Sequence, residues 1–207
     1  MKKNKKLVEK TVLNTFQEEI PSIYFSDKNK SEYEKFKDNA EYVYRELFNF
    51  PKEMFKDKKL LDFGGGTGEQ TVYLTNWGAE ITHVEMNSMA IAIAKKVFQK
   101  HGSNVDKHRF VNTSIFDFDI DKKFDIVHSR GVFSHTYNKE KAFNKLASFL
   151  KPGGYLIFGD VLIIGQNSFT FFVSSHSQSM SLSLLACHLL FNSLTSCKLC
   201  ATLTTPL

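Results

Sequence analysis

The sequence predicts an α/β protein whose core is a doubly wound, mostly parallel sheet with helices on both faces and further helices ahead of it. From residue 59 onward, short apolar runs alternate with segments of helical periodicity, as is typical of successive βαβ units. The first apolar run ends in a glycine-rich turn at residues 64–68, and the second ends in Glu85. Ligands of such sheets bind at the carboxyl ends of the strands, so these two strand ends mark the candidate site.

The apolar runs predict five strands. They cover Lys59–Phe63, Glu80–Glu85, Arg109–Asn112, Phe124–His128 and Tyr155–Gly159, and the turn Pro152-Gly153-Gly154 leads into the last one. Three helices are predicted between the strands, the first from Gly68 to Trp77 with Gly78 as its stop, the second from Ser88 to Gly102, and the third from Lys139 to Leu150.

Two more helices are predicted ahead of the sheet. Apolar residues recur at four-residue spacing over residues 7–20, which predicts an amphipathic helix that ends before Pro21. Ser31 and Glu34 form a capping box that begins a second helix, which ends before Pro51.

This organisation divides the chain into a helical cap at residues 1–57, a core at 58–160 and a tail of low charge at 161–207. A length of 207 residues fits one domain, or one domain with an appendage. All three cysteines lie in the tail, so no disulfide framework supports the core, which indicates a reducing, cytoplasmic compartment. We expect no secretory signal, because no apolar stretch follows the lysine-rich start of the chain.

Composition also bears on partners. The net charge is +5, but lysines alternate with acidic residues through residues 1–60, as on solvated helix faces, so we expect no nucleic-acid partner. We expect no membrane span, since polar residues interrupt each apolar run of the tail. Cys197 and Cys200 lack the further ligands of a closed zinc site, so we expect no metal. The sequence does not indicate an oligomeric state.

The glycine-rich turn carries the most specific motif of the chain. Asp62, Gly64, Gly66 and Gly68 form the pattern D-x-G-x-G-x-G. The dinucleotide-binding pattern G-x-G-x-x-G is not met, because no glycine stands at its third position. In this motif the chain resembles the class I S-adenosylmethionine-dependent methyltransferases, and the resemblance implies a Rossmann-like sheet that binds S-adenosyl-L-methionine.

The resemblance implies a role for each residue of the motif. Gly64, Gly66 and Gly68 belong to the cofactor-binding loop, and the backbone of the first two would receive the amino-acid end of the cofactor. Asp62 would face the methionine part or, as the alternative, brace the loop. Glu85, 23 residues after Asp62 (85 − 62), would accept hydrogen bonds from both ribose hydroxyls.

The adenine would be held after the third strand, by Ser114 and Ile115. Many relatives carry an aspartate in place of this serine, so the chain departs from the commoner pattern here. Asp117, three residues on, is a competing candidate, which we interpret as a surface-loop residue.

A second stretch, from His128 to Asp160, contains SRGVFSHT and LKPGG and is similar to the small-molecule and lipid-quinone type methyltransferases. The resemblance places Ser129 and Arg130 beside the sulfonium of the cofactor and His135 between the cofactor and a small-molecule acceptor. An imidazole there is a candidate catalytic base for the acceptor, and bracing of a loop is its alternative role.

Two other functions stay open. Aminopropyl transfer shares a similar loop, but it calls for acidic residues after the fourth strand, where this chain has Ser129, Arg130 and Gly131. A non-catalytic module that keeps the fold and the cofactor is the second alternative, because the tail does not match the rest of the chain.

The tail has three interpretations. Lys198 is its only charged residue, in contrast to the rest of the chain. It is a divergent completion of the sheet, with a strand at Phe169–Val173 and a helix at Ser181–Leu194, or a membrane-associating segment, or an out-of-frame or alternatively spliced end. We favour the last, which predicts an incomplete sheet with the fifth strand as an exposed edge.

Overall fold

The computed structural model describes residues 4–18, 30–47, 49–161 and 168–174. Four α-helices are present in these ranges: α1 (Lys5–Glu18), α2 (Lys30–Tyr42), α3 (Ser88–His101) and α4 (Lys139–Ser148). The six strands are β1 (Lys59–Phe63), β2 (Glu80–Glu85), β3 (Arg109–Asn112), β4 (Phe124–Arg130), β5 (Leu150–Val161) and β6 (Ser168–Ser174). None of the helices in these ranges is long and apolar enough to cross a membrane.

The strands form one sheet in the order β3-β2-β1-β4-β5-β6, in which β1 to β5 are parallel and β6 is antiparallel to β5. The predicted doubly wound α/β fold is therefore confirmed. Neighbouring residues of a strand point to opposite faces, and accordingly Leu60 and Leu61 of β1 belong to two separate apolar clusters. Helices cover both faces because both are apolar.

Two strands differ from their predicted bounds. β4 continues to Arg130, so that Ser129 lies inside the strand instead of in the loop after it. β5 begins at Leu150 and not at Tyr155, and its register against β4 shifts at Pro152-Gly153-Gly154, because Phe124 pairs with Leu150 whereas Ile126 pairs with Tyr155.

Two predicted helices also differ. The segment after the glycine loop is a 3-10 helix, Val72–Trp77, that ends at Gly78 with φ +97°. Thr75 Oγ1 donates to the carbonyl of Val72, three residues back, and competes with α-helical pairing of that carbonyl. The second N-terminal helix continues as a π-helical turn, Val43–Leu47, in which Tyr44 is fully buried.

The tail contributes β6, which lies where one of the three interpretations predicts the strand Phe169–Val173. It covers the outer edge of β5 from Tyr155 to Val161, so the expectation that the fifth strand is an exposed edge is wrong for the described sheet. The predicted helix Ser181–Leu194 lies outside the described residues.

Candidate functional site

A cavity of about 310 Å³ lies at the carboxyl ends of β1, β2 and β4. Its floor is the glycine loop, residues 64–67, and Glu85 stands at the end of β2. Helix α1 covers it with Val8, Val12 and Phe16, the apolar residues whose spacing predicts the helix. The N-terminal helix thus turns its apolar stripe toward the cavity, with Val8 and Val12 partly buried and Phe16 still exposed.

Glycine is required at several positions of this wall. Gly64 and Gly66 have φ of +76° and +56°, in the left-handed region that side chains rarely adopt. A Cβ on Gly64 would stand 2.6 Å from Cγ2 of Val132, whereas a Cβ on Gly66 would meet no protein atom within 4 Å. Gly131 on the opposite wall is equally open, with φ +70°. Gly66 and Gly131 therefore leave space that a ligand can fill.

Glu85 is joined directly to the glycine loop. Its Oε2 accepts a hydrogen bond from the backbone N–H of Gly66 at 3.0 Å, and its Oε1 accepts one from the N–H of Asn87 at 2.9 Å. Each carboxylate oxygen can accept a second hydrogen bond. Glu85 thus lies in a fixed orientation and keeps acceptor capacity for two donors from the cavity.

Asp62 does not line the cavity. It is buried beneath the loop, where its Oδ2 accepts a hydrogen bond from Thr71 Oγ1 at 2.7 Å and its Oδ1 lies 3.0 Å from Nδ1 of His128. Burial alone would raise the pKa of Asp62, but hydrogen bonds and charge from His128 and His83 outweigh it and hold the pKa well below its usual range. Of the two roles predicted for Asp62, these contacts favour the second: the carboxylate braces the loop from below.

His83, on β2, connects this carboxylate to the loop. Its Nδ1 lies 3.2 Å from Oδ2 of Asp62, and its Nε2 lies 3.0 Å from the carbonyl oxygen of Gly66. Both partners are acceptors, so both ring nitrogens must donate and the ring is an imidazolium. Burial lowers the pKa of His83, but Asp62 and the Gly66 carbonyl outweigh that effect and the pKa is raised.

His128, on β4, connects Asp62 to the helical segment ahead of the sheet. Its Nδ1–H donates to Asp62, and its Nε2 lies 2.9 Å from the hydroxyl of Tyr44, which can donate to it. The network therefore reaches from the π-helical turn after α2 to the glycine loop.

Ser114 and Ile115, in the loop after β3, both line the cavity. The Ser114 hydroxyl donates to Oε1 of Glu9 on α1, and it accepts a hydrogen bond from the N–H of Phe116 at 3.2 Å. Asp117 does not line the cavity and pairs with Lys5 at 2.6 Å on the surface, in line with its interpretation as a surface-loop residue. Both contacts fasten α1 to this loop.

The segment after β4 supplies the opposite wall. Arg130 lines the cavity and donates through Nη1 to Oε1 of Gln70 at 2.8 Å. His135 lines it as well, and the ring of Phe16 from α1 meets its imidazole at 5.1 Å and nearly at right angles. Phe16 and His135 thus bring α1 into contact with this wall.

Two further predicted cofactor residues stand away from the cavity. Ser129 is fully buried, and its hydroxyl donates to the carbonyl of Phe63 at 2.9 Å. It lies within β4, which extends to Arg130, and not in the loop that borders the cavity. Gly68 packs on α3, where a Cβ would lie 2.8 Å from Cε2 of Phe98. Both support the site without reaching it, whereas Gly64, Gly66, Glu85, Ser114, Ile115, Arg130 and His135 do line the cavity.

Sequence reasoning missed several residues of the site. Glu9 and Gln70 carry no motif, and their roles follow from contacts with distant residues. His83 and His128 offered a signal, because an ionisable residue inside an apolar strand run calls for a buried partner.

Comparison with known proteins agrees with this geometry. The sequence model of a family described as "Methyltransferase domain" matches residues 36–183, well over half of the chain. The chain belongs to this methyltransferase family.

Curated relatives of this chain include an uncharacterized methyltransferase of Bacillus cytotoxicus, 27% identical over 145 residues, which are 66% of this chain and 66% of that protein. A ubiquinone biosynthesis O-methyltransferase of Nitrobacter winogradskyi is 31% identical over 98 residues, 47% of this chain and 36% of that protein. An uncharacterized protein of Synechococcus is 35% identical over 101 residues, 47% of this chain and 24% of its own length. The chain thus spans between a quarter and two thirds of these relatives.

Solved structures share the fold of this chain. The N-methyltransferase NodS of Bradyrhizobium japonicum, in complex with S-adenosyl-L-homocysteine, superposes with a TM-score of 0.53 over 71% of each chain at 18% identity. A putative sarcosine dimethylglycine methyltransferase of Galdieria sulphuraria gives 0.52 over 59% of this chain and 46% of its own, at 23% identity.

Proposed function

We propose that this protein is an S-adenosyl-L-methionine-dependent methyltransferase that transfers a methyl group to a small-molecule acceptor. The observation that carries the proposal is the carboxylate of Glu85, held against the glycine loop with one acceptor position free on each oxygen. Two neighbouring hydroxyls of a ribose match two such acceptors. Family membership supports the proposal, as do relatives whose names describe methyl transfer.

The cavity suits this cofactor. Gly66 and Gly131 leave open space at its wall, and a buried site of this volume between strand ends is a usual place for a cofactor. Glu85 would hold the ribose, Gly64 and Gly66 the amino-acid end, and Arg130 would border the sulfonium. When bound, the cofactor supplies a methyl group on a positively charged sulfur. Ser114 and Ile115 would line the adenine side.

The chain's own contribution is alignment and exclusion of water. Helix α1 covers the cavity with apolar side chains, so the acceptor would meet the cofactor away from solvent. We propose that His135, at the wall shared with Phe16, takes the proton of an acceptor hydroxyl or amine. Glutamine at this position would keep the polar shape but remove the base.

We further propose the division into a helical cap (1–57), a cofactor-binding core (58–160) and a tail (161–207), and a place in the cytoplasm. The cap would select the acceptor, since α1 lines the cavity. The absence of cysteine from the cap and the core supports a reducing compartment.

A transfer assay tests the proposal. The protein is incubated with methyl-labelled S-adenosyl-L-methionine and a panel of small molecules that carry hydroxyl or amine nucleophiles. We expect label in at least one acceptor, and a fall of about 10²-fold or more in rate for His135→Gln with little change in cofactor affinity. Binding of the cofactor without transfer to any acceptor would favour the non-catalytic module.

A further inference from the structure

Glu9 is a carboxylate at the cavity wall for which the proposed function has no role. It lies on α1, its side chain is 20% exposed, and its Oε2 is 3.6 Å from Nζ of Lys5. Its Oε1 accepts the hydrogen bond of the Ser114 hydroxyl. Glu9 is thus fixed from both sides and still faces the cavity.

The sheet order tells which part of the cofactor lies next to Glu9. The glycine loop follows β1, Glu85 ends β2, and Ser114 follows β3, and these strands are neighbours in the order β3-β2-β1. A cofactor with its amino-acid end at the glycine loop and its ribose at Glu85 continues in the same direction beyond β2. Its base therefore reaches the end of β3, where Ser114 and Glu9 meet.

Ser114 and Glu9 together favour a base that donates a hydrogen bond to them. The Ser114 hydroxyl has one proton, and it is committed to Glu9. An ionised carboxylate only accepts hydrogen bonds, and Glu9 retains unused lone pairs. Adenine presents an exocyclic amine, which donates, whereas a 6-oxo purine presents an oxygen, which a carboxylate repels.

We propose that Glu9 accepts a hydrogen bond from the exocyclic amine of the adenine and makes the site selective for adenosyl over 6-oxo-purine cofactors. The inference rests on the proposed function and deepens it. It assigns to α1 a binding residue for the cofactor, in addition to its role as a cover of the cavity.

Two ligands test the proposal, S-adenosyl-L-homocysteine and its deaminated S-inosyl analogue, each titrated by calorimetry. We expect the wild-type chain to prefer the adenosyl ligand by about tenfold or more, as for one hydrogen bond to a charged group. In Glu9→Gln the amide can donate to the 6-oxo group, so the preference should fall to about threefold or less.

Asp117→Asn is the matched control. Asp117 also fastens α1, through Lys5 at 2.6 Å, but it lies outside the cavity. If Glu9 only anchors the helix, both variants will weaken the two ligands by the same factor and leave the preference unchanged, which overturns the inference. Melting curves of both variants verify the fold. If the wild-type chain binds neither ligand, the proposed function fails too, whereas equal binding of both ligands overturns the role of Glu9 alone.

Discussion

Nδ1 of His83 lies 3.2 Å from Oδ2 of Asp62, directly beneath the glycine loop. The other ring nitrogen of His83 faces the carbonyl oxygen of Gly66, which makes the ring an imidazolium and the contact a buried ion pair. The loop's backbone is therefore held from below by a charge pair and from the side by Glu85, which accepts the N–H of the same glycine. A fixed loop needs no reordering when a ligand binds.

Asp62→Ala should destabilise the protein strongly. The change leaves a buried imidazolium, the ring of His128 and the Thr71 hydroxyl without their shared acceptor. Removal of one partner from a buried charge pair costs about 3–5 kcal/mol in the free energy of unfolding. Urea denaturation measures it, with the exposed Asp106→Ala as control. A loss below about 1 kcal/mol would contradict the buried pair.

The stabilising effect of His83 should depend on pH in a defined direction. The pKa of His83 is raised above its usual 6.5, so its contribution is complete below pH 6.5 and is lost as the pH rises through the folded-state pKa. The difference in free energy of unfolding between wild type and His83→Asn should shrink above pH 6.5.

His108→Asn provides the control for this measurement, with the opposite sign. Burial lowers the pKa of His108, whose Nδ1 accepts the N–H of Ile81 at 3.1 Å and cannot do so when protonated. Its contribution is therefore lost as the pH falls below 6.5. A difference between wild type and His83→Asn that stays constant from pH 6 to 9 would count against the imidazolium.

Comparison of Gly66→Ala with Gly153→Ala should distinguish an effect on cofactor affinity from an effect on stability. Both Gly66 and Gly153 have positive φ and open space where a Cβ would stand, but only Gly66 lines the cavity. Alanine at either position should cost about 1–2 kcal/mol in the free energy of unfolding because of the left-handed backbone. Only Gly66→Ala should also lower the affinity for the cofactor, which calorimetry measures. Equal affinity in both variants would place the ligand elsewhere.

The sequence predicts the sheet well and the polar network poorly. The bounds of β1, β2 and β3 match their predictions because buried parallel strands appear as apolar runs between turns. Periodicity reports which residues are buried, not which residue from another strand meets them. Asp62 and His128, 66 positions apart, meet only once β1 and β4 pair.

In the candidate site too, local motifs are predicted well and contacts between distant residues are not. Motif spacing identifies Glu85 and the glycines that line the cavity, since strand ends and loops are local features. The predicted position of Ser129 is wrong because it depends on where β4 ends. Pairing with β5 extends that strand to Arg130. Glu9 escapes prediction because its contact with Ser114 spans 105 positions.

Titration of S-adenosyl-L-methionine by calorimetry tests the central claim most directly. The wild-type chain should bind the cofactor, and Glu85→Ala should weaken binding by about tenfold or more, as expected for the loss of hydrogen bonds to a charged group. Glu80→Ala, at the exposed opposite end of β2, should bind like wild type. No heat from a folded wild-type chain at saturating cofactor, or equal affinity in Glu85→Ala and Glu80→Ala, would contradict the account.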